Sequence, residues 1–218
     1  MGWRVSEMPT GGSRVVLTVG HSTHSMPEFL ALLRRGLVGA IADVRRYPGS
    51  KRSPHFGVVA LKASLAAADV GYVGFSASLG GRRRRDRSGG AGDGVDNSAW
   101  RSASFRAYAD HMGTTEFECG INRLESLAAE QRTAVMCAEV HPSRCHRRLI
   151  ADALTARGWR VFHLLPGQRT PALHELSPHA VVIGDRVSYP APTDAGSDRH
   201  GAEQGRGHRS KMGGDAHG

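Results

Sequence analysis

Short apolar segments alternate with amphipathic segments along most of this 218-residue chain, and this alternation restricts its possible folds more than any other feature. The apolar runs are short enough to be buried strands, whereas the segments between them repeat their apolar residues at helical spacing. The pattern predicts a single α/β domain with a mostly parallel sheet of five or six strands and helices on both faces. The predicted strands cover residues 15–19, 39–44, 72–75, 133–137, 160–165 and 180–183.

Composition sets the expected limits of this domain. Residues 1–13 lack regular patterning and predict a flexible N-terminus, and residues 14–184 hold all the predicted elements. An Arg-rich and Gly-rich stretch at 82–101 predicts a mobile inserted loop. Residues 185–218 have few apolar side chains, so we expect a disordered C-terminal tail.

The net charge of +9 favours anionic partners, either small molecules or nucleic acid. However, 26 of the 29 basic residues are Arg in a chain rich in Gly and Ala, a pattern that coding bias alone produces. No apolar run approaches 20 residues, so we expect no membrane span. Three cysteines, an odd number, and the lack of a secretory signal favour free thiols in a reducing cytoplasm.

Chemically capable side chains follow several predicted strands, at the points where those strands end. His21 follows the first strand, Asp43 and Arg45 end the second, and Cys137 and Glu139 end the fourth. The carboxyl ends of parallel strands share one edge of a sheet, where ligands bind in α/β proteins. The sequence therefore predicts a composite polar pocket at this edge.

The two cysteines of the segment 137–148 have two interpretations. Cys145 lies near the start of a predicted helix beside His146 and Arg147, and this setting favours the thiolate of a nucleophile or redox centre. Cys137 lies on the strand itself and is a second candidate for that role. Both are equally compatible with buried core thiols, because free cysteine is often buried.

Candidate roles for the remaining polar residues follow from their chemistry. Glu139 or His21 would act as acid or base, although Glu139 also suits a salt bridge with Arg45, Arg147 or His21. Asp43 and Arg45 point to the same side of a strand, either towards a substrate or as an ion pair that organises the loop at 46–52. The candidates for substrate binding are Asp43, Arg45, His146 and Arg147.

Zinc and other cofactors are not predicted. Cys137 and Cys145 are separated by seven residues, unlike the short ligand spacings of common zinc sites. The adjacent Cys145 and His146 are expected to point in different directions on a helix. The spacing also excludes a Cys-x-x-Cys redox pair.

The chain resembles the domain of unknown function family 488 over roughly residues 15–165. That resemblance implies an α/β fold and leaves the activity open, and the stretch 82–100 is longer and richer in Gly than is usual for that loop. The segments that carry the resemblance are Gly20-His-Ser22, Phe29–Leu33, Asp43-Val-Arg45 with Pro48, Leu79-Gly-Gly-Arg82, the Phe105/Tyr108/Met112 helix, Met136-Cys-Ala-Glu139 and Cys145-His-Arg147.

Three functional hypotheses remain at this level. The first is an enzyme whose thiol acts on an anionic substrate, with a phosphate-bearing molecule as the leading candidate. The second is a module that binds or processes nucleic acid without thiol chemistry, based on the charge excess and the basic segments 45–52 and 82–85. The third is a regulatory domain in which the polar cluster is only a buried network.

Overall fold

Five parallel strands and one antiparallel edge strand form the central sheet, in the order β3-β2-β4-β1-β5-β6. This computed structural model describes residues 14–49, 53–83 and 95–192. The predicted α/β class and mostly parallel sheet are confirmed. The strands are β1 (Val15–Gly20), β2 (Ala40–Asp43), β3 (Gly71–Gly74), β4 (Thr133–Cys137), β5 (Arg160–Leu164) and β6 (Ala172–Leu173).

Helices cover both faces of the sheet, because β1, β2 and β4 are buried on both sides and have apolar side chains pointing each way. One face packs against two helices and the other against three. The first pair is α1 (Met26–Arg35) and α2 (Val58–Ala66), and the other three are α3 (Ala103–Met112), α4 (Thr115–Glu130) and α5 (Arg147–Ala156).

Capping residues explain where two of these helices begin. The Ser25 side chain accepts a hydrogen bond from the backbone N–H of Glu28, and the Glu28 carboxylate accepts one from the backbone N–H of Ser25. Together these two hydrogen bonds form a capping box. At α4 the cap is Thr114, whose side chain accepts a hydrogen bond from the Phe117 N–H.

The end of the folded region differs from the prediction in two respects. The predicted strand at 180–183 does not join the central sheet but forms a separate antiparallel hairpin of β7 (Val181–Ile183) and β8 (Arg186–Ser188). Tyr189 is fully buried, and its hydroxyl donates to Asp152 on α5 at 2.8 Å. The folded domain thus passes the expected limit at 184, because this buried hydrogen bond joins the next residues to α5.

Other boundary predictions fall largely on residues outside the described ranges. These are the N-terminal segment 1–13, the part of the loop at 84–94, and the tail from 193 onwards. Within the described ranges, no helix is both long and apolar enough to cross a membrane.

The connections that leave β1 and β4 run in opposite directions. From β1 the chain passes through α1 to β2, whereas from β4 it passes through α5, on the other face, to β5. β1 and β4 are neighbours, and Gly20 pairs with Cys137 at their carboxyl ends. A reversal of this kind opens a crevice at the carboxyl edge, which is the usual ligand site of open α/β sheets.

Candidate functional site

Cys145 and His146 form a thiol–imidazole pair at this edge of the sheet. The Cys145 Sγ lies 3.5 Å from His146 Nδ1, and His146 Nε2 lies 3.0 Å from the carbonyl oxygen of Val44. A carbonyl oxygen only accepts hydrogen bonds, so Nε2 carries the proton and Nδ1 presents its lone pair to the thiol. The expectation that these adjacent side chains point apart is therefore wrong, because Cys145 precedes α5 rather than lying within it.

Burial keeps the imidazole of this pair neutral. It is the main cause that lowers the pKa of His146, although the neighbouring Cys137 and the carbonyl of Val44 act in the opposite direction. A neutral imidazole with a free Nδ1 lone pair can accept a proton from the Cys145 thiol. The pair therefore has the arrangement of a nucleophile and its base, with Val44 holding the base in one tautomer.

Cys137 is a neighbour of Cys145 in the same cavity wall and changes its acidity. The hydrogen bond from Cys137 lowers the pKa of Cys145 to about 7, with further help from the charge and backbone N–H of Arg147 and against the effect of burial. Burial and the same hydrogen bond raise the pKa of Cys137 well above its ordinary value. Of the two thiols, Cys145 is therefore the more acidic.

Both cysteines line a cavity of about 360 Å³ whose walls carry a strong positive charge. Four arginine side chains contribute to these walls, and Glu139 is the single acidic residue among the described residues that line it. An anion is therefore the ligand class that this cavity favours electrostatically. The four arginines are Arg45, Arg46, Arg82 and Arg144, and the aromatic rings of the lining include those of Tyr47, Phe105 and Tyr108.

These arginines differ in how far their hydrogen bonds are already satisfied. Arg46 donates to the carbonyl oxygens of Ser76 and Ala77, each at 3.2 Å. These acceptors are neutral, so they do not offset the positive charge of its guanidinium. Arg82 and Arg144 are exposed, and their guanidinium groups have no hydrogen-bond partner within the described part of the chain. They are the donors at the cavity that remain available to a ligand.

Glu139 lies in the cavity wall but does not form the predicted salt bridge. Its side chain is exposed, and among the described residues its carboxylate has no ion-pair partner. Its backbone carbonyl instead accepts a hydrogen bond from the buried guanidinium of Arg147. Exposure lets water solvate the charge, which is why a carboxylate directly after a buried strand needs no cation here.

His21, Asp43 and Arg45 form a separate buried network beside the cavity. The Asp43 carboxylate accepts from Arg45 Nη2 at 2.6 Å and from the Tyr72 hydroxyl at 2.8 Å. Arg45 Nη1 donates to the carbonyl of Phe56 at 2.8 Å and lies 3.3 Å from His21 Nε2. Of the three predicted residues only Arg45 reaches the cavity wall, and its charge is balanced by Asp43.

The environment of His21 favours a neutral imidazole. Burial first and the charge of Arg45 second lower the pKa of His21 to about 4. The ring stacks on Phe56 with 4.3 Å between centroids, and its backbone N–H donates to the Cys137 carbonyl at 3.0 Å. The structure thus links His21 to Cys137 through the backbone while its imidazole faces Arg45.

Arg147 is almost fully buried and does not line the cavity. Its guanidinium donates to the Val140 carbonyl at 3.0 Å and to Thr18 Oγ1 at 3.4 Å. Its positive charge helps to lower the pKa of Cys145. The structure therefore makes it a support for the thiolate rather than a surface for substrate.

A chain of buried polar side chains continues from Arg147 into the core. Thr18 Oγ1 lies 2.8 Å from His163 Nδ1, His163 Nε2 lies 3.0 Å from His174 Nδ1, and His174 Nε2 lies 2.8 Å from Asp152 Oδ1. Every ring nitrogen in this chain has a partner, so the histidines are fixed in position. The chain connects β1, β5 and α5 beneath the cysteines.

Two glycines in the Leu79-Gly-Gly-Arg82 segment leave room for neighbouring parts of the site to pack closely. They were not assigned a role from the sequence. A side chain at Gly81 would place its Cβ 2.7 Å from His146 Nδ1, and one at Gly80 would place it 3.1 Å from the Cα of Arg46. Close backbone approach therefore requires glycine at both positions. The signal in the sequence was the Gly-Gly pair directly before an arginine.

A second cavity, of about 390 Å³, lies beside the β7–β8 hairpin and away from the cysteines. Polar side chains around it already pair with one another. Arg157 forms ion pairs with Glu125 at 3.0 Å and Asp185 at 3.3 Å, and the Asn97 amide donates to Asp110 at 3.0 Å. Within the described ranges, no cluster of three or more His, Cys, Asp or Glu side chains could hold a metal ion. The chemically reactive groups are thus at the first cavity.

Comparison with known proteins gives a family and no characterised relative. A family model described as domain of unknown function DUF488 matches residues 25–154, more than half of the chain. No curated protein and no solved structure matches. The matched region contains β2, β4 and the cavity segment from Cys137 to Arg148. The chain belongs to the DUF488 family.

Proposed function

We propose that this protein is an enzyme that uses the Cys145 thiolate as a nucleophile on an anionic, phosphate-bearing substrate. The observation that carries the proposal is the Cys145–His146 pair in a cavity lined by four arginines. A low-pKa thiol next to a fixed base supports nucleophilic chemistry. Guanidinium groups around it support recognition of a phosphate, whose oxygens accept their hydrogen bonds.

The substrate would bind with its phosphate between the available arginines and the sulfur. Arg82 and Arg144 supply donors that no described residue uses, and Arg46 adds charge from the wall of the cavity. Tyr47, of which 68% is exposed, and Phe105 offer aromatic surface beside them. These features favour a small phosphate monoester whose alcohol part contains a ring.

The reaction would follow from the positions of the protons. His146 Nδ1 accepts the thiol proton, the Cys145 sulfur forms a bond to phosphorus, and the ester P–O bond breaks. The departing alkoxide takes the proton that His146 received from the thiol. Water then attacks the phosphocysteine and releases phosphate, so that the thiol is regenerated.

The test is hydrolysis of p-nitrophenyl phosphate, an aromatic phosphate monoester, by the full-length protein. We expect turnover by the wild type and by Cys119→Ser, because Cys119 is an exposed thiol on α4 that does not line the cavity. Cys145→Ser is expected to lose turnover, since a serine hydroxyl is not ionised at neutral pH. In addition, inorganic phosphate should slow alkylation of Cys145 in the wild type by occupying the cavity.

The result that overturns the proposal is a Cys145 thiol that is no more reactive towards iodoacetamide at neutral pH than Cys119. Such a result would favour a regulatory domain with a structural polar cluster. Equal turnover by Cys145→Ser and wild type would also exclude the thiol mechanism. Both measurements use folded protein, which circular dichroism verifies for each variant.

Nucleic acid is the second candidate ligand, and exposure of Arg82 and Arg144 at the cavity favours it. A phosphate backbone would contact these arginines without needing the thiol. Binding to short DNA and RNA should then weaken steeply as salt rises and be unaffected by Cys145→Ser. Absence of binding to DNA and RNA at low salt would exclude nucleic acid as the ligand. The cysteine sulfurs in the cavity wall favour a small-molecule ligand instead.

A further inference from the structure

Cys137 and Cys145 share one cavity and one guanidinium group. Both side chains line the cavity, both belong to one buried cluster, and both are reduced. The Arg147 guanidinium is near enough to interact electrostatically with both sulfurs. Two residues that are separated by seven positions in the sequence are thus held side by side, one from the end of β4 and the other from the segment before α5.

We propose that Cys145 and Cys137 form a reversible disulfide when the protein meets a hydroperoxide, and that this disulfide closes the site. The inference rests on the proposed role of Cys145 as the nucleophilic thiol. It goes beyond that role because it gives Cys137 a chemical function of its own. Formation of the disulfide removes the nucleophile, so phosphate-ester turnover would stop until a dithiol reduces the pair.

The first oxidation step takes place at Cys145. Its thiolate sulfur attacks one oxygen of the hydroperoxide ROOH, the O–O bond breaks, and the departing alkoxide takes a proton to leave as the alcohol ROH. Cys145 is then a sulfenic acid, oxidised by two electrons, and the peroxide has been reduced. Nearby Arg147 stabilises the negative charge on the sulfur before attack.

The second step uses Cys137 as the resolving thiol. The Cys137 sulfur attacks the Cys145 sulfur, the S–S bond forms, and the S–O bond breaks. The departing hydroxide takes the proton from Cys137 and leaves as water. The sum is two thiols and ROOH giving one disulfide, ROH and water. An external dithiol reverses it by exchange.

Burial favours this outcome over further oxidation of Cys145. The two residues are 2% and 5% exposed, so a sulfenic acid at Cys145 meets Cys137 more readily than a second peroxide. Cys119 is exposed and is the third free cysteine of the chain. Its position on α4, outside the cavity, makes it the natural internal control.

The test is peptide mapping by mass spectrometry after treatment of the full chain with hydrogen peroxide, with no substrate present. We expect a peptide pair joined through Cys137 and Cys145 with a mass loss of two hydrogens, and its disappearance after dithiothreitol. In Cys137→Ser, dimedone should instead trap a sulfenic acid at Cys145. Cys119→Ser should give the same disulfide as wild type.

Two results overturn the inference, and they separate it from the proposed function. If Cys145 is oxidised by peroxide but becomes sulfinic acid at equal rates in wild type and Cys137→Ser, then Cys137 does not resolve it. If the disulfide forms but turnover of p-nitrophenyl phosphate is unchanged, then it does not close the site. In both cases loss of turnover in Cys145→Ser would leave the proposed enzyme intact.

Discussion

The Cys145 sulfur lies 3.5 Å from Nδ1 of His146, and the opposite ring nitrogen of His146 lies 3.0 Å from the carbonyl oxygen of Val44. Val44 directly follows the end of β2, so the sheet itself fixes the tautomer of the base. The thiol and the base come from the segment between β4 and α5, and the group that orients the base comes from the end of the neighbouring β2. We therefore expect the reactivity of the Cys145 thiol to depend on its neighbours and on the space around the His146 imidazole.

The first prediction concerns alkylation of Cys145 by iodoacetamide. Because the hydrogen bond from Cys137 lowers the pKa of Cys145 to about 7, its alkylation rate should rise with pH and reach half of its maximum near pH 7. Cys137→Ala removes that donor, so the midpoint should move up towards the ordinary thiol value of about 8.5. Peptide mapping gives the rate at each pH, with Cys119→Ser as the background. An unchanged midpoint in Cys137→Ala would show that Cys137 is not the stabilising donor.

The second prediction uses two glycines of the same cavity as a matched pair. A Cβ at Gly81 would lie 2.7 Å from His146 Nδ1, whereas a Cβ at Gly49 meets nothing within 4 Å. Gly81→Ala should therefore displace the imidazole and lower the alkylation rate of Cys145 at pH 7 by about tenfold or more, the usual scale of loss when a general base is removed. Gly49→Ala should react as wild type. Equal rates in the two variants would contradict the assignment of His146 as the base.

The third prediction concerns the buried ion pair beside the cavity. Asp43→Asn keeps the shape of the side chain but leaves the buried guanidinium of Arg45 without a counter-charge. The free energy of unfolding should fall by about 3 to 5 kcal/mol, because an uncompensated charge in the interior is strongly unfavourable. Urea unfolding measures it.

A surface pair provides the control for this measurement. Glu116 is half exposed and pairs with Arg83 at 3.1 Å, so Glu116→Gln should change the free energy of unfolding by no more than about 1 kcal/mol. Similar losses in Asp43→Asn and Glu116→Gln would show that the buried network contributes little. Retention of stability in Asp43→Asn would also leave Arg45 free to bind a ligand.

The sequence was sufficient to predict the parallel strands, because strand burial is a local signal. Val15–Gly20 and Thr133–Cys137 are fully buried runs of mostly apolar residues. The edge strand at Ala172–Leu173 was missed, since two residues carry no periodicity. The burial of Tyr189 was missed as well, because its partner, Asp152, lies 37 positions away.

At the site, the sequence indicated which residues converge but not which way they face. Cys137, Glu139, Cys145 and Arg45 line one cavity. The direction in which each side chain faces depends on tertiary contacts that no local sequence pattern encodes. Arg147 turns inward because backbone carbonyls and Thr18 accept hydrogen bonds from its Nη atoms, and His146 faces Cys145 because Val44 holds its other nitrogen.

The fourth prediction concerns acid stability and depends on His163. Burial, and next the charge of His174, lower the pKa of His163 to about 3 in the folded protein, whereas an unfolded histidine titrates near 6.5. Between these values the unfolded chain binds a proton that the folded chain does not, so the free energy of unfolding falls as the pH falls below 6.5. The slope is about 1.4 kcal/mol per pH unit, and above 6.5 this histidine makes no difference.

The variant His163→Gln removes that titration and should reduce the slope of stability against pH between 6.5 and 5 by about this amount. Its stability at pH 7 should also be lower, because Thr18 and His174 lose their partner at 2.8 and 3.0 Å. The exposed His179 provides the comparison, since His179→Gln should leave the slope as in wild type. Urea unfolding at several pH values yields these slopes. A His163→Gln slope equal to that of wild type would show that the His163–His174 chain takes up protons without unfolding.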